Sequence, residues 1–289
     1  MNPDFPIYIV SKGRADTRLT SKALELMKVP YFIVIENQEY KIYSDKIDPK
    51  KILVLDKSYQ DSYDTFDALG SQKSKGPGAA RNFAWDHSIS LGAKWHWVMD
   101  DNISMFFRFN KNLKVPVSDG SIFKAMEDFC LRYRNIGMAG PNYFMFCSRK
   151  SLMPPFVLNT RIYSCNLIRN DVNFRWRGRY NEDTDLSLRM LKAGWCTVQF
   201  NAFLQGKVRT SVLKGGNTEA FYSKEGTYPK SKMLVDMHPD LSRIVWKFKR
   251  CHHHVDYSSF KENKLIRNSD VRVEHGVNNY GMELRYLVD

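Results

Sequence analysis

Residues 95–102 read Trp95-His96-Trp97-Val98-Met99-Asp100-Asp101-Asn102. The aromatic and apolar run predicts a buried strand over Trp95–Met99, stopped abruptly by two carboxylates and an amide. Adjacent carboxylates at a strand end repel unless a cation or a donor sits between them. A hard divalent ion such as Mg²⁺ or Mn²⁺, its shell completed by substrate phosphates, resolves that repulsion. The plainer explanation is a solvated Asx turn that ends the strand.

Upstream, Pro6–Val10 is a short strand ending in the polar turn Ser11-Lys12-Gly13-Arg14. Leu19, Ala23, Leu26 and Met27 carry helical spacing through Thr17–Lys28. Tyr31–Ile35 and Lys51–Leu55 are two more strands, and Ala79–Leu91 is a helix entered from Gly76-Pro77-Gly78. This alternation predicts βαβ units, hence an α/β fold with a mixed, mostly parallel sheet flanked by helices. Such sheets bind ligands beyond the carboxyl ends of their strands, where Ser11–Arg14 and Asp100–Asn102 both fall. Downstream the pattern is less regular. Helices are expected at Ser121–Tyr133, Glu182–Ala193 and Asp240–Arg250. Strands are expected at Tyr143–Ser148, Ile162–Ile168, Trp195–Phe203 and His252–Tyr257. Lys214–Lys232, rich in Gly, Asn, Ser, Thr and Lys, reads as a mobile loop or lid.

Three further constellations carry chemistry. In Tyr180-Asn181-Glu182-Asp183-Thr184-Asp185-Leu186, three acids open a helix. Capping and the helix dipole account for one or two of them; a carboxylate beside an acceptor hydroxyl can instead act as general base. In Lys75-Gly76-Pro77-Gly78-Ala79-Ala80-Arg81-Asn82, glycines precede a helix N-terminus, a place that attracts phosphate, although for the glycines alone an ordinary turn explains them better. In Cys251-His252-His253-His254-Val255-Asp256-Tyr257, an extended backbone turns His252 and His254 one way and His253 the other, so one imidazole can meet a metal and its neighbour a phosphate or a base. The isolated His87, His96, His238 and His275 read as surface or satisfied core residues.

The formal net charge is +13, and it is uneven: residues 1–100 hold 14 Lys/Arg against 13 Asp/Glu, and the remainder hold 30 against 18. A basic surface confined to one part of the chain suits a polyanion met on one face. Arg175, Arg177 and Arg179 alternate with Trp176 and Gly178, so an extended segment projects all three from one side. Five cysteines without CxxC spacing read as reduced thiols, not as a disulfide frame or a zinc site. No apolar run reaches the roughly 18 residues of a membrane span. The N-terminal residues lack a secretory pattern, and the expected location is the cytoplasm, the host's if the chain is phage-encoded.

In order, these motifs resemble the GT-A glycosyltransferase superfamily over about residues 6–257, one domain with a nucleotide-sugar half at 1–110 and an acceptor half at 111–289. Within it the chain is similar to the phage TET-associated glycosyltransferases, including arabinosyl- and glucosyltransferases of hydroxymethylcytosine DNA. The resemblance implies a UDP-sugar donor near Ser11, Lys12, Arg14, Arg81 and Asn82, with Asp100 on the ribose. It implies a divalent metal held by the acid turn, Asp101 in preference to Asn102, and by His253 or His254. Asp183, with Glu182 beside it, then serves as the base, and double-stranded DNA with a hydroxymethylated pyrimidine is the acceptor. Arg175, Trp176, Arg177, Arg179, Lys247 and Lys249 are the expected DNA contacts, Trp176 by stacking on a base. Rival readings are a GT-A enzyme acting on a glycan or protein, a metal-dependent nuclease, and a DNA-binding module without catalysis. The early Gly78-Ala79-Ala80-Arg81-Asn82 helix entry and the βαβ pattern of the first half argue against the nuclease, and the two acidic clusters against the bare binding module.

Overall fold

The computed structural model describes residues 1–66, 75–208, 215 and 226–271. The elements in chain order are β1 (Ile7–Val10), α1 (Leu19–Leu26), β2 (Phe32–Ile35), α2 (Tyr40–Ser44), β3 (Ile52–Val54), α3 (Lys57–Asp61), α4 (Gly78–Ser90) and β4 (Trp95–Asp100). There follow β5 (Ile103–Asn110), β6 (Leu113–Pro116), α5 (Ser121–Leu131), β7 (Ile136–Tyr143), β8 (Phe156–Leu158), β9 (Cys165–Arg169) and α6 (Glu182–Lys192). The last are β10 (Cys196–Lys207), α7 (Tyr228–Met237), β11 (Ser242–Lys247) and β12 (Arg250–Val255).

One ten-stranded sheet runs β3-β2-β1-β4-β9-β7-β10-β5-β6, with β8 also paired to β10. β3, β2, β1 and β4 are parallel neighbours, and β9 then runs antiparallel to both β4 and β7. This is the mixed α/β sheet flanked by helices that a GT-A fold requires. The strand period of two builds the core on both faces. Ile7, Ile9, Ile33, Trp97 and Met99 pack on one side with Leu24 of α1 and Phe123 of α5. Tyr8, Val10, Val34 and Val98 pack on the other with Trp85 of α4 and Leu186 and Met190 of α6.

Three sequence expectations need correction. Asp240–Arg250 is not a helix: β11 and β12 form an antiparallel hairpin, turned at Phe248 and Lys249 with φ of 52° and 60°. The strand expected at Tyr143–Ser148 ends at its first residue, because β7 arrives there and the chain turns. Of the lid expected at Lys214–Lys232, residues 214 and 216–225 lie outside the described residues, while its end enters α7. All five cysteines are free thiols. Among the described residues no helix is long and apolar enough to cross a membrane.

Candidate active site

A cleft of about 900 Å³ opens at the carboxyl ends of β1 to β4, the edge where parallel strands leave backbone and side chains free to meet a ligand. Ser11 and Lys12 enter it from β1, Glu36 from β2, Leu55 from β3 and Asp100 from β4, with Gly76, Pro77 and Ala79 at the mouth of α4. Tyr143, Tyr163, Glu182, Asp183, Lys207 and His253 face them from the other wall.

At the floor, α4 and α6 aim opposite charges at one another. Arg81 is 1% exposed and its guanidinium lies 4.5 Å from the Trp176 ring centre. Nη1 donates to Asp183 Oδ1 at 2.5 Å and stands 3.2 Å from Glu182 Oε1; Nη2 donates to Asp100 Oδ1 at 2.7 Å. Lys207, at the end of β10, completes the group by donating to Asp100 Oδ2 at 2.5 Å and to Ser164 Oγ at 2.6 Å. Three carboxylates thus share two cations. Burial opposes the Asp100 charge, but Lys207 and Arg81 outweigh it and hold that carboxyl well below the usual range. Glu182 and Asp183 go the other way: burial outweighs Arg81, each repels its acidic neighbours, and Glu182 is pushed up to about 7.

The two acids of the turn part company. Asp101 is 5% exposed; its Oδ1 accepts from Arg14 Nη1 at 2.5 Å and its Oδ2 from Ser11 Oγ at 2.7 Å. Ser11 Oγ also meets Tyr43 OH at 2.7 Å, and Arg14 Nη2 donates to Gly215 O. Asp101 therefore fastens the first turn to the fourth strand while Asp100 pairs with Arg81 and Lys207, and both acids line the cleft. The side-chain amide of Asn102 donates to Val208 O, pinning the exit of β10. Lys12 reaches Glu36 at 2.6 Å on the rim.

Asn82 does not line the cleft: its side chain clasps the backbone of Trp176 in both directions, at 3.0 and 2.8 Å. Trp176 is 2% exposed in the core, so stacking on a base is closed to it. The three arginines do not share a face either, because Gly178 turns the chain at φ +84°. Arg175 and Arg177 pair with Asp86 and Asp185 beside a shallow second depression, while Arg179 is buried and turns into the main cleft. Of the three acids opening α6, Asp185 points away from the floor and binds Arg177, Arg189 and His238. His253 faces the cleft, and burial with Lys230 and Arg161 nearby pushes it down to about 4, so it is neutral at neutral pH. His254 lies on the opposite face of the hairpin and is exposed. Lys247 and Lys249 are exposed at the hairpin's end.

Among the described residues, no three His, Cys, Asp or Glu side chains gather around a point that could hold an ion. A Mg²⁺-type ion needs only one or two protein carboxylates when substrate phosphates and water supply the rest. Asp100 and Asp101 both line the cleft and supply hard oxygen donors, and an ion at either would have to take the place of a present partner, Arg81 or Lys207 at Asp100 and Arg14 or Ser11 at Asp101.

Lys207 and Ser164 are absent from the sequence expectations. The available signal for Lys207 was a single cation closing an otherwise mainly apolar strand.

A strand-edge cleft with an acid pair at a helix N-terminus and a buried Arg beneath it is a place where an α/β enzyme can bind a ligand. The family model for TET-Associated Glycosyltransferase matches residues 5–216, and the chain belongs to that family. It is a glycosyltransferase by that membership. No curated protein sequence matches it.

Proposed function

We propose that the protein transfers a sugar, arabinose or glucose, from a UDP-sugar to the hydroxymethyl group of 5-hydroxymethylcytosine in phage DNA. The observation that carries this reading is the buried Arg81 shared by Asp100, Glu182 and Asp183 at the floor of the strand-edge cleft. The donor's nucleoside lies over Ser11, Lys12 and Glu36, and its diphosphate points at Asp100 and Lys207. Asp100 and His253 would hold a divalent ion, which would supply further charge stabilisation of the diphosphate. Lys207, which lines the cleft, donates to the leaving phosphate oxygens as negative charge develops, the kind of preorganised stabilisation that often dominates catalysis, while the enclosed Arg81 holds its carboxylate partners in place.

The acceptor oxygen forms a bond to the anomeric carbon as that carbon's bond to the phosphate oxygen breaks. The hydroxymethyl proton passes to the Asp183 carboxylate, and UDP departs. Glu182, kept partly protonated by burial, leaves the base one neighbouring charge fewer to contend with. The excess of Lys and Arg beyond residue 100 favours DNA over a glycan as acceptor.

The test is a transfer assay on hydroxymethylcytosine DNA with a panel of UDP-sugars and with Mn²⁺, Mg²⁺ or a chelator, read by mass spectrometry of the digested nucleosides. A pentose or hexose mass on the base is expected, and Asp183→Asn should lower turnover about 10²–10⁴-fold while still binding UDP-sugar. Donor binding without any addition to DNA would redirect the acceptor to a glycan or protein. Near-normal turnover in Asp183→Asn would remove it as the base.

A further inference from the structure

The β11–β12 hairpin lies beyond the family-matched residues, and His253 is its one side chain among the residues that line the cleft. Directly paired residues of an antiparallel ladder point to the same face. The pairs Ser242–Val255, Ile244–His253 and Trp246–Cys251 therefore share one face, and Arg243–His254, Val245–His252 and Lys247–Arg250 share the other. The first face is anchored at its base, where Ser242 is buried and Val255 packs on the Leu188–Leu234 cluster. It passes the cleft at His253 and ends in Trp246, whose side chain is 71% exposed. Phe248, in the turn itself, is 86% exposed. The opposite face carries Arg243, Lys247 and Arg250, and Lys249 sits beside Phe248 in the turn.

We propose that this hairpin is a nucleic-acid clamp, in which Trp246 and Phe248 contact bases beside the target nucleotide while the cationic face lies along the phosphates. The assignment rests on DNA being the acceptor. Two observations single out DNA as the occupant. The aromatic face is continuous with the His253 wall of the cleft, so whatever touches Trp246 also overhangs the reaction floor. The other face carries Arg243 toward its base and the cross-strand pair Lys247–Arg250 at its tip, which complements a polyanionic backbone and not an apolar protein groove. Aromatic side chains stack on any base, so a contact of this kind holds nucleic acid without fixing its sequence.

The experiment is fluorescence anisotropy of a labelled hydroxymethylcytosine duplex with the full chain, compared among wild type, Trp246→Ala, Phe248→Ala and Lys247→Ser/Arg250→Ser. UDP-sugar binding and the thermal midpoint are followed in each. Each aromatic variant should bind the duplex about tenfold more weakly and modify it more slowly at subsaturating DNA. The cation variant should show a shallower dependence of affinity on salt. Donor binding and the thermal midpoint should stay at wild-type values, since all four side chains are exposed. Wild type that binds and modifies DNA, with aromatic variants indistinguishable from it, overturns the clamp and leaves the acceptor reading standing. Wild type that binds UDP-sugar but not DNA overturns both. Loss of binding to anionic phospholipid vesicles, with duplex affinity unchanged, reassigns the tip to a membrane surface.

Discussion

Arg81 and Lys207 are both buried cations on Asp100, yet their removal has different consequences. Arg81 is enclosed, lies on Trp176 and serves three carboxylates. Arg81→Met leaves Glu182 and Asp183 facing one another without that cation and Asp100 with Lys207 alone, and breaking such a buried pair destabilises by about 3–5 kcal/mol. Lys207 serves one carboxylate at the cleft wall, and Asp100 keeps Arg81 when it is gone. Lys207→Met is therefore expected to fold, to keep its thermal midpoint within a few degrees, and to lose about 10²-fold in turnover through the leaving diphosphate. Thermal melts beside single-turnover rates separate the two. The same cluster sets the pH response. Burial raises both Glu182 and Asp183, so the deprotonated base is lost at a higher pH than a free carboxylate would be. The acid limb of kcat/KM should therefore lie above the ordinary carboxylate range. A limb near pH 4 would mean that neither group is the base.

At the scale of elements, the aim of Arg81 depends on how α4 begins. A Cβ at Gly78 would come within 1.8 Å of Tyr63 OH and 2.3 Å of Tyr63 Cζ. Tyr63 is buried and donates to Gly178 O at 2.8 Å, so its ring has nowhere to swing. Gly78→Ala should displace the start of α4, cost about 1–3 kcal/mol by overpacking and slow transfer by moving Arg81. Tyr63→Leu in the same chain should recover part of the stability, a coupling that urea unfolding of the four proteins of a double-mutant cycle measures.

Close packing of this kind also decides which elements the sequence reveals. β1, β2 and β4 are short apolar runs buried on both faces and β3 is an apolar edge strand; all are bounded by polar turns, and their pattern is unambiguous. β7 was overlooked because Gly137, Gly140 and Pro141 read as breakers; Gly140 is there because a Cβ would come within 2.2 Å of Cys165 O on the neighbouring strand. β11 was taken for a helix because its turn is made by Phe248 and Lys249, without the Gly or Asn that announces a hairpin. In the site, Asp100, Arg81, Glu182 and Asp183 were legible as types in a pattern. Which partners Asp100 and Asp101 each take was not, since one step along a strand reverses the side chain and only the packed sheet fixes the parity.

For the molecule as a whole, pH should act on stability through a carboxyl far from the cleft. Glu127 of α5 is fully buried and accepts from Asp4 N at 2.7 Å, Phe5 N at 3.3 Å and Trp97 Nε1 at 2.7 Å, which ties the N-terminal segment to α5 and β4. All three donors are neutral, and burial pushes the group up to about 7. A carboxyl raised by folding contributes most to stability while it is protonated in both states, below about pH 4.5. Above that, the unfolded chain ionises while the fold still holds its proton, and stability falls until pH passes about 7. The loss between about pH 5 and about pH 8 should be on the order of 2–3 kcal/mol. Glu127→Gln cannot ionise. It carries a pH-independent penalty from an amide NH₂ set against donors, but its unfolding free energy should gain on the wild type by that amount across the window. Urea unfolding of both proteins at pH 5, 6, 7 and 8 makes the comparison. Parallel curves would show that Glu127 is already ionised in the fold, and the tie between the N-terminus and β4 would then be a charged one.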